Sequence, residues 1–303
     1  MSQGICWVFL PLTIFVASAF SQEVPFTVER DVSYLPDNRA EKLDLYLPDA
    51  KGDTRRPAVL VIHGGGWRFG DKADKRETQI AETLAKAGFV VASINYMMHP
   101  NPIDKKDWGS DKSVVFPRNV WDCKAAIRWL RMNADKYHIR PNAIGTIGGS
   151  AGGHLAMLMA WSGDEKDLDP PEYPGVSTKI QAVVNLYGVS DVRLPLGNKG
   201  KIAWEKALTG KTFEEDPAFY ALLSPVVHLK ADSAPILTLH GNKDEKVPYA
   251  YSVDLQPLLE AKGIRHEFIT VDGATHAFMI QSEKFGDYRP KIISFFSDVL
   301  GKP

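Results

Sequence analysis

From Ala58 onward the chain keeps one rhythm: a short apolar run, a turn, then an amphipathic stretch. Ala58–Ile62, Phe89–Asn95, Ala143–Gly148, Ala182–Tyr187, Pro235–His240 and Phe268–Val271 read as strands. Ile80–Ala87, Val120–Lys136, Leu155–Trp161, Tyr251–Ala261 and Lys291–Leu300 read as helices, with Ala125, Ile127, Trp129 and Leu130 on the buried face of the second. Strands that alternate with helices argue for a mainly parallel central sheet with helices on its faces. At the front, Thr27–Tyr34 and Lys42–Leu47 alternate in a way that suits an antiparallel edge hairpin.

A chain of 303 residues could hold one large domain or two small ones. His99–Ser113 and Asp191–Asp216 lack periodicity and are rich in charge, Gly and Pro, but the rhythm resumes after each. They therefore read as long loops or small caps over one end of the sheet, and residues 22–303 as a single α/β domain. The segment before it differs. Ile5–Ala19 is an uncharged run, about as long as a signal-peptide core and short for a membrane span, which needs roughly 20 apolar residues. Ala17-Ser18-Ala19 and Ala19-Phe20-Ser21 offer small residues for cleavage, although no Lys or Arg precedes the run. Residues 1–21 are expected to be a signal peptide, with an uncleaved anchor as the alternative, and the protein to be secreted or periplasmic without stable membrane association. Cleavage would remove Cys6 and leave Cys123, a core thiol in a helix, as the one cysteine. With 36 basic and 37 acidic residues the net charge of −1 gives no reason to expect nucleic acid as a partner. The oligomeric state is not legible.

Chemistry concentrates in four places. Gly148-Gly149-Ser150-Ala151-Gly152 satisfies G-x-S-x-G between a strand and a helix. A sharp strand-to-helix turn lifts the serine hydroxyl out of the sheet, and the N–H groups that open the helix favour developing negative charge. His63-Gly64-Gly65-Gly66-Trp67 follows the strand Ala58–Ile62, and its glycines free the backbone to aim N–H groups into an oxyanion hole. No Walker lysine or G-x-G-x-x-G makes it a phosphate loop. Among eight histidines, His276 lies in a loop beyond the last strand and suits the base. His240 is expected to shape a turn, and His63 and His154 to be structural. The acid should stand between serine and histidine at a strand's carboxyl end. Asp244, in the run HGNKDEKVP, meets that requirement, and Asp191 is the competitor. Trp67, Tyr187, Val247 and Phe278 flank these motifs and could wall an acyl pocket; core packing is the alternative for each.

Together His63–Trp67, GGSAGGHL at Gly148–Leu155, LYGVSD at Leu186–Asp191, HGNKDEKVP and the GATHAF loop resemble the acetyl/feruloyl-esterase-like branch of the α/β hydrolases, related to the hormone-sensitive-lipase group. LDLYLP at Leu43–Pro48 resembles its opening strand, and the likeness runs from about Asp31 to Leu300. The resemblance implies an α/β-hydrolase fold and a serine esterase with catalytic Ser150, Asp244 and His276. It also implies oxyanion donors from Gly65, Gly66 and the Ala151 amide. No metal or organic cofactor is implied, and the expected substrate is a small-molecule or polysaccharide ester, acetylated or feruloylated. Met97 and Met98 stand where similar proteins often have Arg-Leu, and Ala277 where they often have Gly, which bears on pocket shape. The HGGxW pattern also resembles kynurenine formamidases, so an amide hydrolase, or an exopeptidase with the same triad, is the alternative.

Overall fold

The computed structural model describes residues 23–49, 54–99, 114–194 and 206–303. The expected signal segment, and most of the loop after His99, lie outside the described residues. Eight strands form one sheet in the order β1-β2-β4-β3-β5-β6-β7-β8. They are β1 (Phe26–Val32), β2 (Leu43–Pro48), β3 (Arg56–Ile62), β4 (Val90–Ile94), β5 (Ile139–Gly149), β6 (Ala182–Leu186), β7 (Ile236–Gly241) and β8 (His266–Val271). β1 pairs with β2, and β2 with β4, antiparallel; every pairing from β4 to β8 is parallel. The hairpin is thus antiparallel as expected, but of its two strands β1 alone lies at an edge of the sheet. β2 lies between β1 and β4 and is almost wholly buried, which its alternating sequence does not reveal.

Among the described residues, five helices of twelve or more residues flank the sheet: α1 (Lys75–Lys86), α2 (Arg118–Met132), α3 (Ala151–Ser162), α4 (Ala250–Ala261) and α5 (Arg289–Leu300). The core divides into two apolar clusters, one including residues of α2, α3 and α4, the other residues of α1 and α5. All twelve residues of α3 are buried, because the helix is apolar on every side. α2 is buried well beyond the face read from its periodicity: eleven of its fifteen residues are covered. Its buried charges are matched. Asp122 accepts from Arg39 at 2.7 Å and from the Met97 amide at 2.8 Å, and Lys124 donates to the Gly163 carbonyl at 2.6 Å. Arg128 donates to carbonyls of Pro170, Glu172 and Val176 at 3.0, 2.9 and 2.5 Å. Removing one partner of such a pair would strand a buried charge at a cost of about 3–5 kcal/mol.

Parallel strands deliver their carboxyl ends to one side, and the loops that carry the chemical motifs all leave from there. The described flanks of the two long loops meet above that end, where the Val115 and Phe116 amides donate to the Leu208 carbonyl at 2.9 and 3.2 Å. Phe116 packs on Trp67 and His154, with ring centroids 5.7 and 5.9 Å apart.

Candidate active site

Ser150 stands between β5 and α3 with φ 58° and ψ −121°, a backbone state that L-residues rarely adopt. The turn is this sharp because its neighbours have no side chains to collide. A Cβ on Gly152 would lie 2.1 Å from the Ile62 carbonyl oxygen, and one on Gly148 would lie 2.3 Å from that of Gly152. The Ser150 amide donates to the Leu186 carbonyl at 2.9 Å, which ties the turn to the end of β6. Serine is held up in a half-exposed position at the head of α3.

The glycine loop lies directly against this turn. A Cβ on Gly64 would stand 2.6 Å from the Gly149 carbonyl oxygen and 3.5 Å from Ser150 Cβ. Gly65 has φ 108°, and any side chain there would strike the Phe69 carbonyl at 2.0 Å. The Arg68 and Phe69 amides close the loop onto the Gly65 carbonyl at 3.1 and 3.0 Å. Among the described residues, the N–H groups of Gly65, Gly66 and Ala151 donate to no backbone acceptor. Of the three, Ala151 opens α3 directly after Ser150.

His276 Nε2 lies 3.0 Å from Ser150 Oγ, and His276 Nδ1 lies 2.7 Å from Asp244 Oδ2. Both contacts are satisfied when Nδ1–H donates to the carboxylate and Nε2 accepts the serine hydroxyl. Two loops hold this pair. The Asp244 Oδ1 atom accepts from the Lys246 and Val247 amides at 2.8 and 3.0 Å. The Lys243 amide donates to the Ala274 carbonyl at 3.0 Å, and the Gly273 amide to Asn242 Oδ1 at 2.8 Å, so the acid and histidine loops are stitched together. Burial pushes the Asp244 carboxyl up, but hydrogen bonds from His240 and His276 outweigh it and hold the group well below the usual carboxylate range.

His240 does more than shape its turn. Its Nε2 lies 3.1 Å from the Val247 carbonyl and 3.3 Å from Asp244 Oδ2, while Nδ1 meets Ser252 Oγ at 2.7 Å. Its place at the end of β7, four residues before the acid, was the signal for this second donor. Asp191 is not in the constellation: it binds Arg193 through both carboxylate oxygens at 2.8 and 2.7 Å and accepts from Ser224 at 3.0 Å. His63 and His154 are buried, as expected of structural histidines. Burial lowers His154 to about 4, and its Nε2 meets the Leu223 carbonyl at 2.8 Å.

The four residues read as pocket walls require correction. Trp67, Tyr187, Val247 and Phe278 are only 2, 0, 5 and 0% exposed, and each is part of the buried core. Trp67 lies edge-on to His154, with ring centroids 5.3 Å apart. Tyr187 and Phe278 pack edge to face with centroids 5.3 Å apart, and the Val247 amide serves Asp244. Residues beside a motif at a strand's end enter the core as readily as the cleft, and sequence adjacency does not separate the two. Arg76, which no motif singles out, lies against the turn and the glycine loop instead. Among the described residues no group of three His, Cys, Asp or Glu side chains could hold a metal ion, and no helix is long and apolar enough to cross a membrane.

Comparison with known proteins places this geometry in a family. The BD-FAE family model matches residues 43–259. Esterase LipQ of Mycobacterium tuberculosis is 28% identical over 82% of this chain and 56% of its own length. The chain spans about half the length of the curated relatives it matches. A truncated carbohydrate esterase from gut microbiota superposes with a TM-score of 0.75 at 27% identity, covering 91% of this chain and 97% of that one. Esterase Est2 of Thermogutta terrifontis, solved with propionate bound, gives 0.68 at 28% identity, over 91% and 93% of the two chains. The chain belongs to the BD-FAE family, in the hormone-sensitive-lipase-like branch of the α/β hydrolases.

Proposed function

We propose that this chain is a carboxylic ester hydrolase with Ser150 as nucleophile, His276 as base and Asp244 as the acid that orients it. The contact that carries the reading is the 3.0 Å approach of His276 Nε2 to Ser150 Oγ, backed by the 2.7 Å bond from Nδ1 to Asp244. His276 takes the hydroxyl proton as Oγ bonds to the ester carbonyl carbon. The carbonyl oxygen becomes an anion facing the amides of Gly65, Gly66 and Ala151. The carbon–oxygen bond to the alcohol then breaks, and His276 returns the proton to the leaving alkoxide. Water, deprotonated by His276, attacks the acyl-enzyme and releases the acid and free Ser150. Asp244 keeps the proton on Nδ1 throughout and stabilises the imidazolium.

The substrate class is a short acyl or carbohydrate-linked ester, acetyl or feruloyl. The names of two solved relatives, a carbohydrate esterase and an esterase with propionate bound, support it. The apolar run Ile5–Ala19 supports export, which would bring the enzyme to such esters outside the cytoplasm.

The test is hydrolysis of p-nitrophenyl acetate and butyrate, acetylated xylan, methyl ferulate and N-formylkynurenine, each by wild type and by Ser150→Ala. Serine-dependent release from the esters is the expected result. Turnover of N-formylkynurenine alone, or ester turnover that survives Ser150→Ala, overturns the reading.

A further inference from the structure

Arg76 is placed against local preference. It is the second residue of α1, where the helix's free N–H groups already concentrate positive charge. Its side chain nevertheless turns inward and is only 13% exposed, beside a buried Glu77 with which it is ion-paired. Burying a guanidinium costs several kcal/mol unless specific partners receive it. Here Nη1 donates to the Tyr187 hydroxyl at 3.1 Å, and Nη2 meets the Glu77 carboxylate. The remaining faces fill space that two site glycines leave open. A Cβ on Gly149 would stand 2.5 Å from Nη1, and one on Gly64 would stand 3.2 Å from Nη2. One planar cation therefore lies against both the residue before the serine and the start of the glycine loop.

Its hydrogen-bond partner reaches the third part of the site. Tyr187 follows β6 with φ 44°, a left-handed state that costs a bulky residue about 1–3 kcal/mol and persists only where surroundings enforce it. Its amide donates to the Leu239 carbonyl at 2.9 Å, which fixes the backbone. Its ring is fully buried and meets the His276 imidazole edge to face, with centroids 4.9 Å apart. Phe278 packs on the same ring, and Arg76 holds its hydroxyl. The imidazole thus leans on a ring whose hydroxyl is bonded to the cation that lies against Gly149 and Gly64.

We infer that Arg76 and Tyr187 are positioning residues: Arg76 braces the nucleophile turn and the glycine loop and, through Tyr187, fixes the plane in which His276 faces Ser150. The inference rests on the proposed roles of Ser150 and His276. Neither residue touches the reacting atoms. Their contribution lies in keeping three separately built loops in register, where a misplacement of about 1 Å can cost on the order of a hundredfold in rate.

The experiment follows the rate at which a fluorophosphonate labels Ser150, read by intact mass, together with kcat and KM on p-nitrophenyl acetate. Wild type, Tyr187→Phe, Arg76→Lys and the double variant are compared across the pH range in which imidazole titrates. Tyr187→Phe removes one oxygen and keeps the ring, so it decides the matter even if Arg76→Lys fails to fold. Labelling and kcat are expected to fall about tenfold with KM little changed, and the acid limb of the pH profile to move. The double variant should be no more than about twofold slower than the worse single one, because both changes break one link. Tyr187→Phe with wild-type labelling and an unmoved pH profile overturns the inference, as does a rise in KM at constant kcat. Failure of wild type to label at all would instead overturn the serine-nucleophile reading.

Discussion

Asp244→Asn changes one atom and should nearly silence the site. Oδ1 accepts from the Lys246 and Val247 amides at 2.8 and 3.0 Å, so an asparagine must keep its carbonyl oxygen there. Its NH2 group then takes the place of Oδ2, facing His276 Nδ1 at 2.7 Å and His240 Nε2 at 3.3 Å. Two donors would confront a third. His276 can escape only by accepting through Nδ1 and placing its proton on Nε2, 3.0 Å from Ser150 Oγ. In that tautomer it cannot take the serine proton. A wrong tautomer in a triad of this type costs roughly 10⁴ in kcat, which at 1.36 kcal/mol per decade is about 5 kcal/mol.

The fold should survive the same change. His240 keeps the Val247 carbonyl as acceptor at 3.1 Å, and loss of the remaining polar contacts costs about 1–3 kcal/mol. Stability carries its own signature. The native Asp244 carboxyl lies below its unfolded value, so its contribution is complete above that unfolded value and is lost as pH falls through the native one. The stability gap between wild type and Asp244→Asn should therefore narrow on acidification. The assays are kcat and KM on p-nitrophenyl acetate, with thermal unfolding at several pH values. A folded Asp244→Asn protein with kcat within tenfold of wild type would refute the tautomer argument.

Three further outcomes follow from neighbouring contacts. Asp191→Asn should change kcat by less than about threefold, since its partners are Arg193 and Ser224 and not the His276 ring; a loss like that of Asp244→Asn on p-nitrophenyl acetate would reassign the acid. Ala277→Gly should raise thermal stability by about 1 kcal/mol, because Ala277 adopts φ 61° beside His276; an unchanged or lower unfolding midpoint would contradict this. His154 is held at about 4 by burial against an unfolded value of about 6.5, so the unfolded chain binds its proton first and stability is lost as pH falls between those values, by about 3 kcal/mol. Denaturant titrations of wild type and His154→Gln check it: the variant should lose less over that window, and parallel curves would count against it.

Much of the fold was legible because backbone chemistry is local. The run into Gly148 and the apolar stretch from Leu155 marked a strand and a helix, and the glycines between them marked the sharp turn that the structure has there. Buried parallel strands are short apolar runs, so β3 to β7 fell close to the expected positions, and β8, at the sheet's edge and only partly buried, was read from its apolar end at Phe268–Val271. What escaped was set by neighbours distant in sequence. α2 reads as amphipathic, yet partners such as Arg39 and Asp169 let its charged side be covered too. β2 reads as an edge strand because nothing in Leu43–Pro48 says that β4 will pair with it. Trp67, Tyr187, Val247 and Phe278 were placed by adjacency to motifs, and the core claimed all four. Arg76 carried no signal at all: a charged residue opening a helix normally faces water, and only the glycines at 64 and 149 make room for it.

The central claim is that an acyl group passes through Ser150, and trapping that intermediate tests it most directly. Protein mixed with p-nitrophenyl acetate and quenched in acid, where deacylation by His276 is slowed, would be digested and its peptides weighed. One acetyl group on the peptide containing Ser150, absent from Ser150→Ala and accumulating in a burst with p-nitrophenol, is the predicted result. Ester hydrolysis without any adduct, or at the wild-type rate in Ser150→Ala, would contradict it.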